Sequence, residues 1–523
     1  MSDAYAVPGV YITESNNLAL SIQSGETAVP VFVGVFNPLT PPEGEEPHCV
    51  RIESWLDFTS KFRSSDHIQG PRDKSAGKVT PYHGSYSVRL HFENGGGPCY
   101  VLFFNLRDDL DKPAKQALIG PVIALYPDIT LLCWCEFISS QLDDTIYAVL
   151  DAQLGATATS GGNRGTFLLA DARVDGKSDG VVSGWKFKVP SVNNPTQVAA
   201  YFPALKTSYT RDYSDVPLSG FTEDEFTLLK SGGLFPDVDK FTSLNGRGAR
   251  RGEVKAALEK AVKAAGDTAA NAAGSDEDAK QKARGEAEKK ARDTAKPLTD
   301  FETNLQQAQK NELETTVYAR ASVAMAGVYA RVDRERGVWK APANVALSGV
   351  TGLVADGFDS SNKNKKWDAP VPVKVDDALN TSLTGSNINT LREFRGRGTL
   401  VWGARTMEAP VNKDWLYVPV RRLFNAVERD ARAALRQAVF EPNSPATWAA
   451  VRSALESYLH DLWRKGALQG ETPEQAYQVL AGPGITMTPD DITDGRLKIK
   501  VALAAVRPAE FIVLELSQLI AAG

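Results

Sequence analysis

ITLLCWCEFISSQLDDTIYAVLDAQL (129–154) sets the fold class of this 523-residue chain. Its first nine residues, Ile129–Phe137, form an apolar run of strand length. The remainder places Leu142, Ile146, Val149 and Leu150 on one helical face. GTFLLADAR (165–173) then supplies a second strand, and the order strand, helix, strand predicts a parallel pair. Working outward, TAVPVFVGVF (27–36) is near-continuously apolar, as a strand covered on both faces must be. VAAYFPALKTSY (198–209) reads as a further element of the same layer. VRLHFENGGGPCYVLFFNL (88–106) reads as two strands around a turn at Gly95–Gly97. The fold class is therefore α/β (mixed α+β).

The length exceeds one compact core and predicts two to four domains. Apolar residues at 42% and charged residues at 24% are ordinary for a globular chain. A formal net charge of −5 provides no basic field for nucleic acid. No apolar run approaches the roughly 18 residues of a membrane span, and the first residues lack a basic-then-apolar leader. Folding in the cytoplasm, without membrane insertion, is the expectation. Cys133 and Cys135 share one strand face and Trp134 takes the other. With Cys49 and Cys99 and five scattered histidines, they lack the spacing of a zinc site and read as reduced core cysteines.

No constellation of catalytic or cofactor-binding residues stands out, so neither a metal nor a cofactor is expected. Gly77-Lys78 lacks the upstream glycine of a phosphate loop. The glycine-rich Ser160–Gly165 precedes a strand where a dinucleotide site must follow one. Asp333 and Glu335, set among arginines, read as a salt-bridged helix end rather than an acid–base pair. Residues 251–312 form a charged, alanine-rich insert, with no Val, Ile, Leu, Met or aromatic residue from Lys263 through Pro297. It is expected to be a solvated helix or a loop, with Val254, Leu258 and Val262 docking its first turns. In the following segment Ala324, Gly327 and Ala330 give a small-residue helix face that permits close packing.

The C-terminal part carries the clearest helices. In RRLFNAVERDARAALRQAV (421–439), Leu423, Val427, Ala431, Ala434, Leu435 and Val439 make the apolar face. Arg422, Arg429, Arg432 and Arg436 gather opposite, with Glu428 and Asp430 at the margins, and read as an unneutralised stripe for an anionic partner. A second helix starts at Ser444-Pro445, buries Trp448, Val451, Leu455, Tyr458, Leu459 and Leu462, and stops at Gly466. DGRLKIKVALAAV (494–506) alternates as a strand. Pro8–Thr13 and AEFIVLELS (509–517) are extended segments with no evident place in their own chain's core. Orphan strands of this kind invite pairing with another chain.

Several of these stretches, taken in order, resemble the contractile tail sheath family of myophages, R-type bacteriocins and extracellular contractile injection systems. They are Pro8–Ile12, TAVPVFVG (27–34), FENGGGPCYVL (92–102), AGVYARVDRERGVWKAPAN (326–344), GRGTLVWGART (396–406), VRRLFNAVERDARAAL (420–435), VFEPN (439–443) and RPAEFIVLEL (507–516). Together they make up about one-sixth of the chain. The resemblance implies a multidomain structural subunit and no enzyme. Its C-terminal sheath domain would be built from both chain ends, with an inserted α/β middle domain.

The implied division is an N-terminal arm (1–20), a sheath core (21–106 with 314–507), an outward α/β domain (107–250), the insert (251–313) and a C-terminal arm (508–523). Tyr5, Val7, Val10, Tyr11 and Ile12 at one end, and Glu510, Phe511, Ile512, Val513 and Leu514 at the other, would be arm strands exchanged between subunits. Arg422, Arg429, Arg432 and Arg436 would face an inner tube. Implied partners are other copies in a helical sheath of stacked rings, the tube protein, and baseplate and terminator or cap proteins. The protein would assemble in the bacterial cytoplasm and then form part of a phage tail or a released particle. A tube or baseplate component and an α/β enzyme with a site in the middle region are the alternatives.

Overall fold

A computed structural model describes residues 20–40, 42–44, 47–63, 67–68, 79–80, 83–104, 110–155, 165–174, 185–210, 224, 227–228, 251–310, 316–355 and 370–510. The main strands are β1 (Pro30–Val33), β2 (His48–Ile52), β3 (Cys99–Phe103), β4 (Leu131–Trp134), β5 (Phe167–Asp171), β6 (Val198–Phe202) and β7 (Ala204–Thr210). They continue with β8 (Thr316–Ala319), β9 (Val350–Ala355), β10 (Val371–Pro372), β11 (Ile388–Phe394), β12 (Gly398–Trp402), β13 (Tyr477–Ala481) and β14 (Ile499–Leu503). The main helices are α1 (His83–Glu93), α2 (Ser140–Asp151), α3 (Arg251–Ala272), α4 (Glu277–Lys310), α5 (Ala321–Arg336), α6 (Val418–Leu435) and α7 (Pro445–Arg464).

An eight-stranded sheet runs β12-β11-β6-β5-β4-β1-β3-β2. Its six inner strands are parallel, and β2 and β12 close the edges in antiparallel fashion. β4 and β5 pair in parallel with Leu132 opposite Leu168, the pair the sequence predicts. Every residue of β1, β3, β4, β5 and β6 is buried, which explains their apolar runs: both faces are covered. Ser139 caps α2 by accepting from the Leu142 amide, and Leu142, Ile146 and Leu150 join Trp134 in one apolar cluster. Cys99, Cys133 and Cys135 are free and buried, and burial pushes their thiols well above the ordinary range.

Residues 88–93 depart from the expected hairpin: they are the end of α1. That helix buries His83–Val88, Leu90 and His91, so nearly all its faces are covered and no helical period shows in the sequence. It ends in a glycine cap, with Gly95 at φ +89° and the Gly96 amide reaching back to the His91 carbonyl at 2.9 Å. Gly327 of α5 crosses here. A Cβ at that position would lie 2.4 Å from the His91 carbonyl oxygen, so the small-residue face does permit a close approach.

β7–β10 form a separate antiparallel sheet in the order β8-β7-β9-β10. The insert is a helical hairpin. Ala261, Ala270, Ala291 and Ala295 are buried along α3 and α4, together with Leu258 and Val262. Arg284 of α4 pairs with Asp267 of α3 at 2.9 Å.

The chain divides into two compact units, one comprising Met1–Thr27, Val332–Ala341 and Val411–Gly523, the other Ala28–Arg331 and Pro342–Pro410. The larger unit holds strands from both sides of residue 107, so β3 and β4 share a sheet across the boundary expected there. In the smaller unit, α6 and α7 pack through Leu423, Val427, Val451, Leu455, Tyr458, Leu459 and Leu462, with Leu20 and Ile22 against them. α7 buries the six residues its spacing predicts and is followed by Gly466 at φ +78°. Ser444 holds the cap position, but its side chain makes no capping bond to the helix backbone.

Candidate functional site

In open parallel sheets, ligands bind beyond the carboxyl ends of the strands where the strand order reverses. Here the reversal lies at β1, which has β3 on one side and β4 on the other. The crevice is filled by the chain's own Glu136. One of its carboxylate oxygens accepts from the Val35 amide at 2.9 Å and from the Gly84 amide, in the first turn of α1, at 3.1 Å. These are the donors an anionic ligand would use.

Next to it the Arg320 guanidinium donates to both Asp143 oxygens at 2.7 and 2.8 Å and to the Glu136 carbonyl. The Trp134 indole donates to Asp143 at 2.8 Å. Asp171 accepts from Tyr147, from the Ser322 hydroxyl and from the Ser322 amide, while burial pushes its carboxyl upward against the pull of Arg320. Every group in this cluster is buried and engaged with another, the arrangement of a closed core. Among the described residues no group of three or more metal-ligating side chains occurs, and no helix is long and apolar enough to cross a membrane. Gly176-Lys177-Ser178-Asp179-Gly180 has the Gly-x-Ser-x-Gly spacing but lies outside the described residues. An elbow serine must open a helix, and the next described element is a strand at Phe187–Lys188.

The arginine stripe of α6 is not unneutralised. Arg422 is buried and donates twice to Asp333, at 2.9 and 2.6 Å, and once to the Thr27 carbonyl at 3.0 Å. Arg429 lies 3.5 Å from Asp430, and burial lowers its affinity for a proton. Arg432 pairs with Glu428 at 2.6 Å, the i,i+4 pairing the wheel had placed at the margin. Arg436 is exposed in the short 3-10 turn that ends the helix. The reason for the difference is tertiary: Asp333 comes from α5, 89 residues away, and no helical wheel contains it. Asp333 is thus ion-paired as expected, but with Arg422 rather than its local arginines.

Polar contacts also hold the first and last described segments of this unit: Asp430 of α6 and Asp333 of α5 meet residues 25–27, and Asp414 and Tyr417, just before α6, meet residues 507–510. The Gly25 amide donates to Asp430 at 3.3 Å, and the Tyr458 hydroxyl donates to the other Asp430 oxygen at 2.8 Å. Thr27 donates its hydroxyl to Asp333. At the other end Arg507 pairs with Asp414 at 3.0 Å, and Tyr417 donates to Glu510 at 3.3 Å. β13 and β14 make a two-stranded antiparallel ribbon with Val479 opposite Val501, and among the described residues no third strand pairs with either long edge. Of the expected arm residues, Glu510 is described and exposed; Tyr5, Val7, Val10, Tyr11, Ile12, Phe511, Ile512, Val513 and Leu514 lie outside the described residues.

A family model described as the phage tail sheath C-terminal domain matches residues 411–518. A prophage major tail sheath protein of Pseudomonas aeruginosa (strain UCBPP-PA14) is 25% identical over 197 residues, which span 37% of this chain and 44% of that protein, less than half its length. Among solved structures, the helical sheath of the anti-feeding prophage in its contracted state is 32% identical, with a TM-score of 0.61. That similarity covers 98% of this chain and 99% of the other. The sheath complex of an extracellular contractile injection system, PVC, in its contracted state is 28% identical with a TM-score of 0.55, over 98% of both chains. With this likeness running through both units, the chain belongs to the contractile tail sheath family and is a structural sheath subunit.

Proposed function

We propose that copies of this chain polymerise helically around an inner tube and contract, without nucleotide hydrolysis, to drive that tube through a target envelope. The observation that carries the reading is the smaller unit. It brings residues 25–27 and residues 507–510, one segment from each side of the chain, onto or just before α6, and it presents a two-stranded ribbon to which no third strand is added among the described residues. Exchanged arms, residues 5–14 and 509–517, would extend such ribbons in neighbouring copies by strand addition. They would keep the lattice connected while the globular bodies repack. Contraction then requires only that the compact lattice be lower in free energy than the extended one. A few kcal/mol per subunit suffices when summed over a lattice whose obligate interfaces bury roughly 2,000 Å² or more.

The tube contact falls to the exposed end of the helix, Arg432 and Arg436, rather than to Arg422. Baseplate and terminator proteins would bound the polymer. Assembly would take place in the bacterial cytoplasm, before the chain becomes part of a tail or released particle.

Electron microscopy of the full-length protein co-expressed with its tube protein tests the reading, with ribbed cylinders expected. Deleting residues 1–14 should leave folded monomer and no long sheaths; normal sheaths from that truncation would sink the exchanged-arm mechanism. Arg432→Glu with Arg436→Glu should weaken co-assembly with the tube, most clearly at low salt.

A further inference from the structure

The two chain ends are mounted with opposite physics. Gly25 and Thr27 are held by buried charge: Asp333, Arg422 and Asp430 have side chains 7%, 3% and 3% exposed. Thr27 is gripped at both its hydroxyl and its carbonyl, and Gly25 at its amide. Leu20 and Ile22 add an apolar footing immediately before them. Residues 507–510 are held by the Arg507–Asp414 pair, 47% and 78% exposed, and by the exposed Tyr417–Glu510 contact. Buried, hydrogen-bonded ion pairs are little screened by salt; exposed ones are weak and are screened.

We infer that Asp333, Arg422 and Asp430 are positioning residues that fix the root of the N-terminal arm to its subunit, while the root at Arg507–Glu510 is the yielding hinge. The inference rests on the exchanged-arm reading above and adds a division of labour to it. During repacking the N-terminal strand would travel with its own body, and the change of direction between neighbouring bodies would be absorbed at the C-terminal root. The polar groups around the fixed root come from every element packed against it: Asp333 from α5, Arg422, Arg429 and Asp430 from α6, and Tyr458 from α7.

Hydrogen exchange on the full-length unassembled subunit, at about 0.05 M and about 1 M NaCl, measures both roots at once. The Gly25 amide, bonded to Asp430, should be protected equally at both salt concentrations, whereas the Val506 amide, bonded to the Ala467 carbonyl at 3.2 Å beside the Arg507–Asp414 pair, should exchange several-fold faster at high salt. Thr27→Val removes the hydroxyl bond and should speed exchange of the Gly25 amide by about tenfold, with α6 and α7 unchanged. Thr27→Ser should restore it. In electron microscopy Thr27→Val should give irregular or short sheaths, and Asp414→Asn should give normal ones.

The inference is overturned by equal salt response at the two roots. It is also overturned if Thr27→Val loosens α6 and α7 together with the Gly25 amide, or if it forms normal sheaths despite a loosened root. Normal sheaths from the 1–14 deletion would instead refute the exchanged-arm reading, and the monomer exchange data would stand apart from that result.

Discussion

Arg320→Met tests whether the eight-stranded sheet is closed by charge. Arg320 is 1% exposed, and so is the Asp143 carboxylate that it grips through two contacts. Its guanidinium also serves the Glu136 carbonyl and lies 4.6 Å from the Phe137 ring centroid. Removing the cation leaves Asp143 buried with only the Trp134 indole at 2.8 Å and the more distant Arg173 at 4.0 Å. Breaking a buried pair from one side costs about 3–5 kcal/mol, and the orphaned Glu136 carbonyl adds about 1 kcal/mol. That is a large share of the roughly 5–15 kcal/mol that holds a typical domain.

Urea unfolding of the unassembled subunit, followed by hydrogen exchange at β4 and β5, should show the sheet's transition moving to lower urea by that amount. Arg320→Met with Asp143→Asn removes both charges while keeping an acceptor for Trp134. It should recover at least about 2 kcal/mol relative to the sum of the two single substitutions. A single-variant cost under about 1 kcal/mol, or simple additivity in the double variant, would refute the idea that this ion pair closes the sheet.

Gly327→Ala should destabilise by about 1–3 kcal/mol despite alanine's higher helix propensity, because its Cβ would meet the His91 carbonyl at 2.4 Å; a raised melting temperature would show the α1–α5 crossing to be loose. His91 is fully buried, and desolvation holds its imidazole at about 4 against an ordinary 6.5. The folded chain therefore binds fewer protons than the unfolded one between those values. The stability that neutral His91 confers is complete above pH 6.5 and is lost as pH falls toward 4, roughly 3 kcal/mol in all. His91→Gln should flatten that part of the stability–pH curve, and an unchanged slope would exclude His91 as its source.

The sheet's interior was legible in sequence because burial on both faces writes continuous apolar runs, as in β1, β4 and β5. α7 was legible because one buried face leaves a helical period: Trp448, Val451, Leu455, Tyr458, Leu459 and Leu462 all fall inside. α1 was not, since a helix covered nearly all round has no period to read, and its Val88 and Leu90 mimic strand alternation. The stripe on α6 misled for a different reason. Spacing shows which residues share a face, but not that α5 brings Asp333 to Arg422. Nor could any motif have revealed that Glu136 occupies the crevice at the strand reversal, because its contacts to Val35 and Gly84 span 101 and 52 residues. The contacts at Gly25, Thr27 and Arg507 were not legible, being contacts across the chain.

The hairpin of α3 and α4 bears on how such a chain can change over generations. Its seam is written mostly in alanine, with Ala261 and Ala270 on one helix and Ala291 and Ala295 on the other. Gly266 is close enough that a Cβ there would meet the Glu288 side chain at 2.6 Å. Leu258 and Val262 anchor the seam at its far end, and nearer the bend it narrows to Gly266 and Ala270, where little side-chain bulk fixes the register. Whole turns can be added to or removed from both helices at the Gly274 bend without disturbing the eight-stranded sheet. That bend is therefore a natural place to graft a peptide or a small domain, and a place where related chains are free to differ in length.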